Sequence, residues 1–205
     1  MALMDLTEGL AKAREDFAKG DPLEMWKRSH TVYNQEKSFF ELDFLGDGYQ
    51  IDYPDGKVHY KGSEDGDAIG KETQILLLHY LAHASGIPLQ DRLISFKELD
   101  NGFLYIGPFT NRAIVPLVKI FGDEPARMVS AAKKIGGKEI DLGDVAVTIP
   151  AFPLLPVTCV IWEGDDEFPA SGNILFDGSA GTHLATEDFA FLAGMLVFKL
   201  RSLSE

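Results

Sequence analysis

One thiol is all the sulfur chemistry this sequence offers outside its methionines. Cys159, alone, cannot close an internal disulfide, and it cannot hold an iron–sulfur cluster, which takes about four thiolates. Basic residues are also scarce: 19 Lys and Arg stand against 32 Asp and Glu, a formal net charge of −13. A field of that sign repels phosphate backbones and anionic lipid, so nucleic acid and membrane surfaces are poor partners. Long apolar runs are missing too. The most apolar helical stretch, around Ile75 to Ala84, carries two histidines and is about half the length a bilayer crossing needs. The opening MALMDLTEGLAKARED places charges where a secretory signal needs an apolar run, so the expected location is a reducing cytoplasm. Phosphate loops of the GxxxxGK[ST] and GxGxxG types are absent, which speaks against nucleotide binding by a standard loop. The string FDGSAG only superficially suggests the GxSxG elbow of serine hydrolases.

What is present reads as a globular chain. Hydrophobic residues make up 45% and charged ones 25%, close to the average for packed domains, and 205 residues suit one core. The expected organisation is a single domain over 1–205, with N-terminal helices over 1–35 and mixed sheet and helices over 36–205. Leu3, Leu6, Leu10, Ala13 and Phe17 recur at helical spacing, then Asp21 and Pro22 cap and open a second helix. The period next drops to two: Phe40, Leu42 and Phe44, then Tyr49, Ile51 and Tyr53, then Val58 and Tyr60. Turns at 46–48 and 54–56 make this a three-stranded antiparallel meander. A polar, mobile loop is expected at 61–70, and a helix at 71–85 that is apolar in nearly every direction and therefore central. Further along, the pattern predicts a strand over 93–99, a turn at 100–102 and a return strand over 103–106. Helices follow near 110–121, with Pro116 inside, and 124–135. Strands at 145–149, 157–162 and 173–176 precede a last helix capped by Thr186. The fold class is α+β, a largely antiparallel sheet of about six to eight strands with helices packed against it.

The strings FKELDNGFLYIGPF, WEGDDEFPASGNILFD and HLATEDFAFLAGMLV together resemble a prokaryotic family known as domain of unknown function 3786, from about Phe39 to the C-terminus. The resemblance implies a prokaryotic, anaerobic source. Some members of that family look as though a cysteine-rich iron–sulfur segment precedes the domain; no such segment stands in this sequence.

Two groups of residues carry candidate chemistry. His79 and His83, four apart on one helix, share a face, which is metal-binding spacing. The string HYLAH lacks the glutamate after the first histidine that makes the zinc-peptidase motif specific, and Glu72 lies roughly 10 Å further along the axis. The second group is acidic: Asp165 and Glu167 in the loop EGDDEFPAS, Asp177 at the end of the next strand, and Glu187 and Asp188 opening the last helix. Gathered carboxylates bind a hard cation or act as acid and base, although a hairpin would hold Glu163 and Asp177 roughly 15 Å apart. Cys159, in the apolar run PVTCVIW, reads as a buried thiol. Tyr49, Tyr53, Tyr60, Phe103, Tyr105 and Phe109 either line a pocket or make core. The leading expectation is an accessory domain that binds a small ligand in an apolar pocket rimmed by the acidic loop at 163–177. The alternatives are a metal-dependent enzyme using His79 and His83, or the carboxylates between Asp165 and Asp177, and a subunit that binds a protein partner.

Overall fold

The computed structural model describes residues 6–63 and 69–205. Leu3, expected in the first helix, and 64–68 of the expected loop at 61–70 lie outside the described residues. Helix α1 (Leu6–Lys19) buries the stripe Leu10, Ala13 and Phe17, and α2 (Pro22–Ser29) follows at once. Asp21 caps α2 as its sequence position suggests, accepting hydrogen bonds from the backbone of Leu23 at 2.8 Å and Glu24 at 3.4 Å.

The first sheet is a meander of β1 (Val32–Asn34), β2 (Phe39–Phe44), β3 (Asp47–Asp52) and β4 (Val58–Tyr60), antiparallel throughout and in sequence order. Phe40, Leu42, Phe44, Tyr49 and Ile51 point inward, one face of the pleat. The first turn falls at Leu45 and Gly46, with φ of 49° and 84°, slightly ahead of the expected 46–48. Helix α3 (Lys71–His83) is central as expected, burying Ile75 to Leu78, Tyr80 and Leu81. Tyr80 donates its hydroxyl to the Ser29 carbonyl and accepts from the Leu154 N–H, each at 3.0 Å.

The second sheet contains β5 (Leu93–Ser95), β6 (Lys138–Ile140), β7 (Val145–Phe152), β8 (Leu155–Trp162) and β9 (Ser171–Asp177) in the order β5-β9-β8-β7-β6, all antiparallel. The α+β class and antiparallel pairing hold, with nine strands among the described residues, divided between two sheets rather than joined in one. At their meeting point β2 has both edges taken by β1 and β3, and β7 has its edges taken by β6 and β8. The sheets join mainly through side chains, Phe44 stacking on Phe152 at 4.6 Å and Phe152 on Tyr80 at 4.3 Å, beside one long backbone bond from the Leu45 N–H to the Ala151 carbonyl at 3.4 Å. One cluster of buried residues draws on both sheets and on the helices between them.

The strand, turn and return expected over 93–106 is corrected. Only Leu93–Ser95 is strand; Phe96–Glu98 is a 3-10 turn and Gly102–Phe109 is helix α4. Asn101 does turn the chain, with φ of 59°, but Phe109 then stacks on Phe96 at 4.1 Å, a contact that helical geometry provides. After α4 come a π-helical segment (Thr110–Ile114), α5 (Val115–Phe121), α6 (Ala126–Lys133) and α7 (Thr186–Ser204). Thr186 is not the cap of α7: Ala185 holds that place, and the Thr186 hydroxyl donates to the Asp100 carbonyl at 2.6 Å. The expected strands of the last third are present and longer than their apolar cores, because pairing continues through polar positions such as Ser171. Among the described residues no helix is long and apolar enough to cross a membrane.

Candidate functional cleft

A cavity of about 650 Å³ opens between the first sheet and α7. Phe44, Tyr49 and Tyr60 form one wall, and Phe191, Met195 and Phe198 of α7 form the other. Tyr49 and Tyr60, two of the aromatics the sequence marked as pocket candidates, lie with ring centres 5.1 Å apart. Burial, with the charge of Tyr60 and Asp47 behind it, pushes the Tyr49 hydroxyl above the usual tyrosine range, so it stays a neutral donor and acceptor. Lys199 is already paired, its ammonium 2.7 and 2.9 Å from the Asp47 oxygens.

The π segment supplies the roof. Val115 donates its N–H to the Thr110 carbonyl, five residues back, so the helix carries one wide turn here. Pro108 and Pro116 flank that turn, and neither has an N–H to keep the ordinary helical ladder closed. The wide turn presents Asn111 and Arg112 to the cavity. Gly194 lets α7 approach the segment closely: a methyl there would lie 3.3 Å from the Arg112 carbonyl oxygen. The Arg112 guanidinium sits 4.7 Å above the centre of the Phe191 ring, a cation–π arrangement, and has no carboxylate partner among the described residues.

A second, more enclosed cavity of about 400 Å³ lies between α1, α3 and α7, and shares Glu72 and Phe191 with the first. His79 and His83 both line it, as their spacing requires, with ring centres 5.7 Å apart. His79 is joined to Asp188: its Nδ1 is 2.9 and 3.0 Å from the two carboxylate oxygens, across 109 positions of sequence. The Asp188 side chain is only 10% exposed. An ionised carboxylate only accepts, so Nδ1 carries a proton, and in the neutral ring the lone pair falls on Nε2. Burial, then repulsion from His79, hold His83 below the usual histidine range. Among the described residues no group of three or more His, Cys, Asp and Glu is arranged to hold a metal ion.

The acidic residues do not gather. Asp165 accepts from the backbone of Glu167 and Phe168, both at 2.8 Å, which closes its own exposed loop and lowers its pKa. Glu167 stands exposed in the same loop. Asp177 is buried; burial works against its charge, but donors from Gln90 and Ser179 outweigh it and hold the carboxyl below the usual range. Glu187 meets the Tyr105 hydroxyl and raises its pKa, while Asp188 turns inward to His79. Of the remaining aromatics, Tyr53 donates to the Gly20 carbonyl at 2.9 Å, Phe109 is core and Phe103 is exposed. Cys159 is fully buried, its thiol pushed up to about 12.

Arg112 went unnoticed in the sequence, although it is the one charged residue between Gly102 and Val118 and lies between two prolines. A family model described as Domain of unknown function (DUF3786) matches residues 21–199. No curated protein and no solved structure matches the chain.

Proposed function

The chain belongs to the family described as Domain of unknown function (DUF3786), and we propose that it binds a small organic anion with a flat or branched apolar body in the larger cavity. The observation that carries this reading is Arg112. It stands at the edge of an aromatic-walled hollow, on a π turn, braced by Phe191 and without an ion-pair partner among the described residues. Ligand sites are mostly apolar with a few fixed polar groups, and a guanidinium held on an aromatic face is preorganised for a two-point grip on a carboxylate. π turns concentrate at functional positions. The Asp47–Lys199 pair and the hydroxyls of Tyr49 and Tyr60 complete the polar fittings. The acidic loop at 163–177 takes no part in this cavity.

Titration calorimetry with benzoate, phenylacetate and 3-methylbutanoate tests the reading. A hydrogen bond to a charged group contributes about 1.5–3 kcal/mol, so Arg112→Met is expected to weaken binding by roughly 10- to 100-fold. Arg112→Lys keeps the charge but not the fork and falls between the two. If none of the three acids binds, or Arg112→Met binds them as the parent does, the reading is wrong.

A further inference from the structure

The smaller cavity holds three features that the binding of an anion beside Arg112 does not use. His79 is oriented by a nearly buried carboxylate, its Nε2 has no hydrogen-bond partner among the described residues, and Lys12 of α1 lines the same hollow, likewise unpaired among them. A histidine held by a carboxylate on one nitrogen and open on the other is the arrangement of a general base. Asp188 has a clear structural reason to be there: it sits in the first turn of α7, where exposed N–H groups favour an anion, and it faces inward where α7 crosses α3. Among the described residues the remaining charged groups around the hollow are Asp16 from α1 and Glu72 and His83 from α3. Leu6, Ile75, Leu76 and Phe191 supply apolar walls, and no serine, threonine, cysteine or tyrosine is among its lining residues, which points away from covalent attack.

We propose that this hollow is a proton-transfer site for small carbonyl compounds that carry a hydrogen on the carbon next to the carbonyl. The C–H bond breaks, its proton joins Nε2 of His79, and its electron pair forms the new carbon–carbon double bond. The carbonyl π pair moves onto oxygen, where the Lys12 ammonium meets the developing negative charge. The imidazolium is matched by the Asp188 carboxylate. Returning a proton to either end of the enolate restores the base, so the cycle needs no oxidant, reductant or second substrate. His79 is the catalytic residue, and Asp188 is a positioning residue.

Proton NMR in heavy water with cyclohexanone, 2-butanone and phenylacetaldehyde reads the step directly, because each turnover replaces hydrogen by deuterium beside the carbonyl. The full chain is expected to exchange at least one of them tenfold or more above buffer. His79→Gln returns the rate to that of buffer, and Asp188→Asn lowers kcat by roughly a hundredfold with little change in KM. Calorimetry with benzoate on the same protein reads the anion site by itself, so exchange without benzoate binding, or benzoate binding without exchange, tells the two readings apart. Nitrogen-15 spectra of the histidine rings supply a readout that requires no turnover: His79 protonated on Nδ1 in the parent, and a mixture of tautomers in Asp188→Asn. The inference is overturned if no probe exchanges faster than in buffer, if His79→Gln exchanges like the parent, or if Nε2 carries the proton.

Discussion

Two buried polar side chains show how differently a single residue bears on this fold. The Tyr80 hydroxyl ties α2 to the turn between β7 and β8 through α3, one bond given and one received. Tyr80→Phe leaves a buried carbonyl and a buried N–H unsatisfied and is expected to cost about 2–4 kcal/mol, measured by urea unfolding. His183 is the opposite case: fully buried, with neither ring nitrogen in a hydrogen bond of good geometry among the described residues. Burial first of all, and the nearby His30, lower its pKa, against a weaker upward pull from the Ile87 carbonyl and Asp177. The folded protein therefore binds this proton less readily than the unfolded chain does. Stability is fully present above the ordinary histidine range and is lost as pH falls through it toward the depressed value. Urea midpoints are expected to drop between pH 7 and pH 5, and His183→Leu should flatten that slope; an unchanged slope would clear His183 of the role. The His79–Asp188 contact illustrates what a residue-level reading misses: each partner was marked, but in separate groups, since nothing in either local pattern encodes a meeting across 109 positions.

At the level of elements, periodicity was a sound guide wherever a segment's own residues decide its geometry. α1 and α2 with the Asp21 cap, the meander of β2 to β4, and α3 all follow from local spacing and turn chemistry. The segment over 93–109 did not, because Phe103, Tyr105 and Ile106 favour strands in isolation and Asp100, Asn101 and Gly102 spell a hairpin turn. Tertiary packing reverses that preference: Phe96 and Phe109 stack, and Gly102 lies directly under the Phe96 carbonyl. A methyl group on residue 102 would collide with that oxygen, so Gly102→Ala is expected to destabilise by about 2 kcal/mol or more, seen as a lower thermal midpoint. The π turn was equally invisible, since two prolines eight residues apart announce an interrupted helix and not which way it yields. With it went Arg112, whose place at the cavity depends on that extra width.

Across the whole molecule, two sheets share one continuous set of buried side chains, and this makes a forecast about cooperativity. Trp26 on α2 lies beside the first sheet and Trp162 ends β8 in the second, so each reports on its own part. Fluorescence of Trp26→Phe and Trp162→Phe proteins is expected to give the same urea midpoint within error, coincident with circular dichroism, as a single domain requires. Separate midpoints would reveal two independently folding halves. The cleft, too, is a property of the assembled whole, built where α1, α3, α7 and the first sheet converge. Phe191 stands as the partition within it. Because the same phenyl ring lines both hollows, its rotamer couples their volumes, and a smaller side chain at this position would enlarge both at once.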